Sequence, residues 1–252
     1  MSYSTTLKTL GEIETDATQG LVTRTIPSLI YLMLHKESEF RAHNQLVGRA
    51  GAFLSRLLAG ERDHLYSESV NTIWRAAGIE FSLAGRDVRY YSSEDVRSRH
   101  NILPGDCRPT KARLAPFRAL QEKFGRQDFY GLHTFIWWNL EAGGGCGLST
   151  RYGTSGGVSQ PGAIFLEAVA LVGRLADRPP HLLVAHEIGH FLGLPHPDES
   201  VGSDSKRLMH PSYPGPVLTR GEIARAGAEA HRLTGFRNGT PKEEARCLPK
   251  DR

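Results

Sequence analysis

The stretch His186-Glu187-Ile188-Gly189-His190-Phe191-Leu192-Gly193-Leu194-Pro195-His196 carries the spacing H-E-x-x-H-x-x-G-x-x-H. Residues four apart share a helix face, so His186 and His190 can present two imidazoles to one ion. Glu187 follows the first of them, placed to poise a metal-bound water rather than to ligate the metal. Gly193 lies where a helix can end on a residue with positive φ. A sharp turn there lets His196 return as a third ligand. Three neutral imidazoles with one open position describe a catalytic zinc site, whereas a structural site closes all four positions. Fixing Gly193 and His196 makes the pattern about three orders of magnitude rarer by chance than a bare H-E-x-x-H. The competing reading is a buried amphipathic helix with satisfied core histidines. Without a metal, that helix would strand the charge of Glu187 and the ring donors of His186 and His190.

Outward from this stretch, Pro179 and Pro180 stand where a helix begins. Gly162 to Glu167 reads as a short strand. Leu148-Ser149-Thr150-Arg151-Tyr152, bracketed by glycines, reads either as a sheet edge that a peptide can pair with or as a Gly-rich loop. Phe129 to Leu140 is strand-like, with Trp137 and Trp138 expected in the core on opposite sheet faces. Residues 85–127 are polar and basic, broken by Pro104, Pro109 and Pro116, and are expected to form a surface excursion with one helix over 115–124. Ser69 to Leu83 reads as the end of a helix, a stop at Gly78 and a short strand. Apolar residues from Phe40 to Leu58 recur at helical spacing. Arg24 to His35 is apolar and β-forming, a first strand buried in a sheet with Pro27 near its start. Downstream, Pro197 to Arg207 is loop-like, and Thr219-Arg220-Gly221-Glu222 is a capping box opening a last helix carried by Ile223, Ala226, Ala230 and Leu233.

At 252 residues the chain is long enough for a substantial core. The net charge of +4 comes from scattered rather than clustered Lys and Arg, so nucleic acid is not an expected partner. No apolar run is long enough to span a bilayer, so no membrane partner is expected, and residues 1–20 lack the layout of a secretory signal. The expected location is the cytoplasm, or outside the cell by a leaderless route. Cys107, Cys146 and Cys247 are too few for a disulfide framework, though they leave room for one bridge.

The long motif, followed after thirteen residues by Met209, resembles the metzincin clan of zinc endopeptidases. That resemblance implies zinc on His186, His190 and His196, with Glu187 as general base. It also implies Met209 in a turn beneath the metal, and Gly193 supporting the site. The implied fold is α+β: a twisted, mostly parallel sheet with an antiparallel edge strand, long helices including the zinc helix, and a small C-terminal lobe. The corresponding division is a flexible arm over 1–24, a catalytic lobe over 25–193, a lobe over 194–236 and a loose tail over 237–252. Leu208-Met209-His210-Pro211-Ser212-Tyr213 is similar to matrixins, in which this segment walls the main specificity pocket, and this marks Pro211 and Tyr213 as substrate-binding. Pro197 after the third histidine is more like serralysins. The extra tyrosine ligand of serralysins and astacins has Pro211 at its position here. Cys107, in Gly105-Asp106-Cys107-Arg108-Pro109, lies within the domain and does not match a matrixin latency motif.

His210 is expected at the surface, and His133 and His181 in structural or solvent-facing roles. Asp198, Glu199 and Asp204 could hold calcium, but their irregular spacing favours an acidic solvated loop. The expected function is a monomeric zinc endopeptidase in which Glu187 and a zinc-bound water hydrolyse peptide bonds, with a protein or peptide substrate extended along Leu148 to Tyr152. Two other readings stay open: a zinc-containing protein-binding module without catalysis, and a zinc hydrolase of a non-peptide amide.

Overall fold

A computed structural model describes residues 24–35, 66, 68–91, 119–126, 129, 131–137, 148–150, 153–155, 158–160, 162–167, 180–197, 206–210 and 215–235. Strand β1, Arg24–His35, lies inside a five-stranded sheet. Its run of apolar residues suits burial on both faces, as a parallel sheet requires. Helix α1, Glu68–Arg75, follows in the described order, then strand β2, Ile79–Tyr91. Strands β3, Leu132–Trp137, and β4, Leu148–Thr150, come next. Strands β5, Gly153–Ser155, and β6, Val158–Gln160, form a separate antiparallel pair, and β7 is Ala163–Glu167. Helices α2, Pro180–Phe191, and α3, Arg220–Gly235, complete the described elements. The fold is thus a mixture of helices with a predominantly parallel sheet.

The sheet order is β2-β1-β3-β7-β4. The pairs β1–β2, β1–β3 and β3–β7 are parallel, and β4 runs antiparallel to β7 at the edge. Successive side chains alternate between faces, and two separate cores result. One face buries Ile26, Ile30, Leu32, Leu132, Ile136, Ile164 and Leu166 against α1, α2 and α3. The other stacks Tyr31, Phe135 and Phe165, with Leu120 and Phe124 of the helical segment 119–124 above them. Each such apolar side chain contributes about 1.5–3 kcal/mol on full burial.

Two local devices set the helices on the first face. Gly78 ends α1 at φ 70°, and its carbonyl accepts from Arg24 N–H at 3.0 Å, where β1 begins. Asn71 on α1 then clasps the Phe81 backbone, donating to its carbonyl at 3.1 Å and accepting from its N–H at 2.9 Å. Trp74, fully buried, fills the space between α1 and the underside of α2.

Several expectations change. Residues 85–91 are not part of a surface excursion, because β2 continues through them to Tyr91. The register shifts between Ser28 and Leu29 of β1, so that Ala84 is skipped and β2 stays paired to the end of β1. Its residues are polar because β2 is a sheet edge, where side chains stay half in water. His133 takes the structural alternative and is fully buried. Its Nδ1 lies 3.0 Å from the Tyr31 hydroxyl, and its Nε2 donates to the Phe129 carbonyl at 3.1 Å. The β5–β6 pair was not read from the sequence, since three-residue strands rich in Gly and Ser carry no periodic signal. The helix over 39–58, most of the arm over 1–24, the tail over 237–252, the three cysteines and the side chains of Trp137 and Trp138 lie outside the described residues.

Candidate metal centre

Helix α2 is apolar around most of its circumference, burying Leu182, Val184, Ala185, Ile188 and Phe191. A helix of that kind must lie inside the molecule. Here it packs across β7 and β4. Pro180 opens it at a position where a missing N–H costs nothing. Its end is a Schellman motif. Leu194 N–H donates to the Gly189 carbonyl at 2.9 Å, Gly193 N–H donates to His190 at 3.0 Å, and Gly193 takes φ 84°. That reversal folds the chain back and delivers His196 to the helix it has just left.

The His190 ring meets those of His186 and His196 edge to face, while His186 and His196 stack at 29°. Nε2 of His196 lies 2.9 Å from Nε2 of His190 and 3.2 Å from Nε2 of His186. One nitrogen from each ring fits within 4.8 Å of the other two. Nδ1 of His186 lies 2.7 Å from the Leu208 carbonyl, and Nδ1 of His190 lies 2.8 Å from the Leu194 carbonyl. A carbonyl only accepts, so both Nδ1 atoms must carry the proton. In the neutral rings, both Nε2 lone pairs then face the shared point. Burial reinforces the neutral form of His186, whose pKa falls to about 4, although the Leu208 hydrogen bond partly opposes the fall and the charges of His196 and His210 add to it.

Converging lone pairs repel unless a cation sits among them. Tetrahedral zinc with bonds of about 2.0–2.1 Å needs nitrogens about 3.3 Å apart, close to the spacing here. Glu187 gives a second sign. It is buried, and its Oε2 has no hydrogen-bond partner among the described residues. Burial alone raises its carboxyl to about 8. A buried carboxyl oxygen without a partner, next in the chain to a histidine whose Nε2 lone pair faces the shared point, suits a site that holds a cation. The histidines can therefore hold a metal ion.

Met209, the residue after Leu208, is fully buried. A Cβ on Gly189 would come within 2.3 Å of its Sδ and 3.6 Å of Trp74 Cη2, so the glycine lets the sulfur pack directly under α2. His210 differs from expectation. It is 8 % exposed, not a surface residue, because the turn over 206–210 tucks against His186. His181 is half-buried at the start of α2.

Leu148, Ser149 and Thr150 form β4, the antiparallel edge beside β7, with α2 lying against it. Arg151, Tyr152, Pro211 and Tyr213, together with Asp198, Glu199 and Asp204, lie outside the described residues. Sequence reasoning missed the two carbonyls that orient the ligands. A backbone acceptor leaves no trace in side-chain identity, so no motif could have marked Leu208 or Leu194.

No family model matches the chain, and no curated protein matches it. Among solved structures, a chain in "Structure of a chaperone-substrate complex" aligns over 85% of this chain, at TM-score 0.44 and 14% identity. The alignment spans 36% of that chain, about a third of its length, and a likeness at this level carries no argument.

Proposed function

We propose that this chain is a zinc-dependent endopeptidase of metzincin type, with His186, His190 and His196 holding the zinc. The observation that carries the reading is the convergence of the three Nε2 atoms, with the adjoining residue Glu187 buried and its Oε2 without a partner among the described residues. Met209 packed under Gly189 supports it. Zinc bound there would supply Lewis acidity, polarising a carbonyl and acidifying water.

The protein's own groups divide the rest of the work. Glu187 takes the proton of the attacking water and returns it to the leaving amine; burial raises its carboxyl to about 8, and a cation on the histidines would lower it again so that it can act as the base. The Leu208 and Leu194 carbonyls hold the ligand rings in one tautomer. The outer edge of β4, with α2 alongside, offers main-chain groups to an extended peptide.

Cleavage-site profiling on peptide libraries, with zinc content measured, tests this in wild type and Glu187→Ala. The variant should keep its zinc and lose about 10²–10⁴-fold in rate. Near wild-type cleavage by Glu187→Ala would sink the mechanism. Stoichiometric zinc with no cleavage by wild type would instead favour a protein-binding module, and products lacking a peptide cut would favour a non-peptide amide.

A further inference from the structure

The group that fixes His186 is a backbone carbonyl, so no substitution at Leu208 can delete it. Its direction is set by whatever anchors the turn over 206–210. Main-chain bonds do part of this. Leu208 N–H donates to Val217 at 2.7 Å, Val217 N–H to Lys206 at 3.0 Å and Gly215 N–H to Arg207 at 2.9 Å. Gly215 is needed for the approach, since a Cβ there would lie 2.2 Å from the Lys206 carbonyl oxygen.

A side chain completes the anchor. Arg207 Nη2 donates to Glu222 Oε1 at 2.8 Å. Glu222 Oε2 is already engaged, accepting from Thr219 N–H at 2.7 Å and from the Thr219 hydroxyl at 2.9 Å. A capping box needs only one carboxylate oxygen. The second oxygen, and an ion pair whose side chains are only 21% and 9% exposed, go beyond what starting α3 requires. Partial burial of such a pair costs desolvation that an ordinary surface cap avoids.

We infer that Glu222, acting through Arg207, is a positioning residue that holds the Leu208 carbonyl in line with the metal ligand His186. The inference rests on the metal-centre reading above. It ties the start of the last helix to the ligand set some thirty residues upstream in the chain.

The test uses the full chain and two readouts: the zinc dissociation constant by competition with a chelator, and the visible spectrum of the cobalt-substituted protein. Glu222→Gln keeps an amide oxygen for Thr219 but loses the charge, while Arg207→Gln leaves the capping box intact. Each should weaken zinc binding about tenfold and move the cobalt bands. The double variant should be no weaker than the worse single one, because both remove the same link. Arg207→Lys, which keeps the charge, should recover part of the affinity. Arg232→Gln, which breaks a more exposed pair with Glu229 on the same helix, should change neither readout. Variants that only lower the melting temperature, with wild-type zinc affinity and cobalt spectrum, would overturn the inference. A wild type that takes up neither zinc nor cobalt would overturn the metal-centre reading itself, and this inference with it.

Discussion

Glu187 and His186 are neighbours whose burial pushes their titrations in opposite directions. Burial raises the Glu187 carboxyl from 4.5 to about 8. Folding therefore favours its protonated form, a contribution complete below about 4.5 and lost as pH rises through about 8. Burial lowers His186 from 6.5 to about 4. That contribution is complete above about 6.5 and lost as pH falls through about 4. Between these ordinary values the two oppose each other, but above pH 6.5 only Glu187 is still changing. Zinc-free protein should therefore have a lower urea midpoint at pH 8 than at pH 6.5, and Glu187→Gln should remove most of that drop. An equal drop in both proteins would show that Glu187 is not its source. A cation on the histidines offsets the cost of ionising Glu187, so zinc should flatten the wild-type profile as well.

At the scale of elements, the end of α2 carries most of the geometry. Three features of one Schellman motif act together: the φ of 84° at Gly193, the return of His196, and the Leu194 carbonyl that orients His190. Gly193→Ala forces a Cβ into left-handed backbone, at a cost of about 1–2 kcal/mol. Because the strain falls where the third ligand turns back, the variant should lose zinc affinity as well as melting temperature. Titration calorimetry and thermal unfolding check both, and unchanged zinc binding would mean that the turn does not set the position of His196. The start of α3 was equally legible. Thr219 and Glu222 form the capping box that their spacing implied, with Glu222 N–H on the Thr219 hydroxyl at 3.3 Å. The strand over Arg24–His35 matches its sequence reading too, because continuous apolar β-formers leave few alternatives. β2 was misread because an edge strand needs no apolar pattern once its partner offers a full row of main-chain groups.

Across the whole molecule, the candidate ligands come from a buried helix and the chain beyond it, while the turn that supports them leads into α3. A metal held by His186, His190 and His196 thus clamps segments that otherwise rest on packing and a few hydrogen bonds. Zinc at a hundredfold above its dissociation constant should stabilise the fold by about 2.7 kcal/mol. A chelator should accordingly lower the wild-type melting temperature but leave His196→Ala unmoved. An equal shift in both would place the stabilising metal elsewhere.

The sequence alone determined the three histidines, their neighbouring carboxylate, the glycine stop at Gly193 and the capping box, because each depends on spacings of a few residues along one short stretch of chain. Only the tertiary structure decided that Leu208 and Leu194 lend carbonyls to the ligands, that His210 is buried and that Arg207 reaches Glu222. Most of these contacts join separate segments of the chain, and the carbonyls are main-chain groups that every residue possesses. Side-chain identity therefore could not announce them, and packing had to select them.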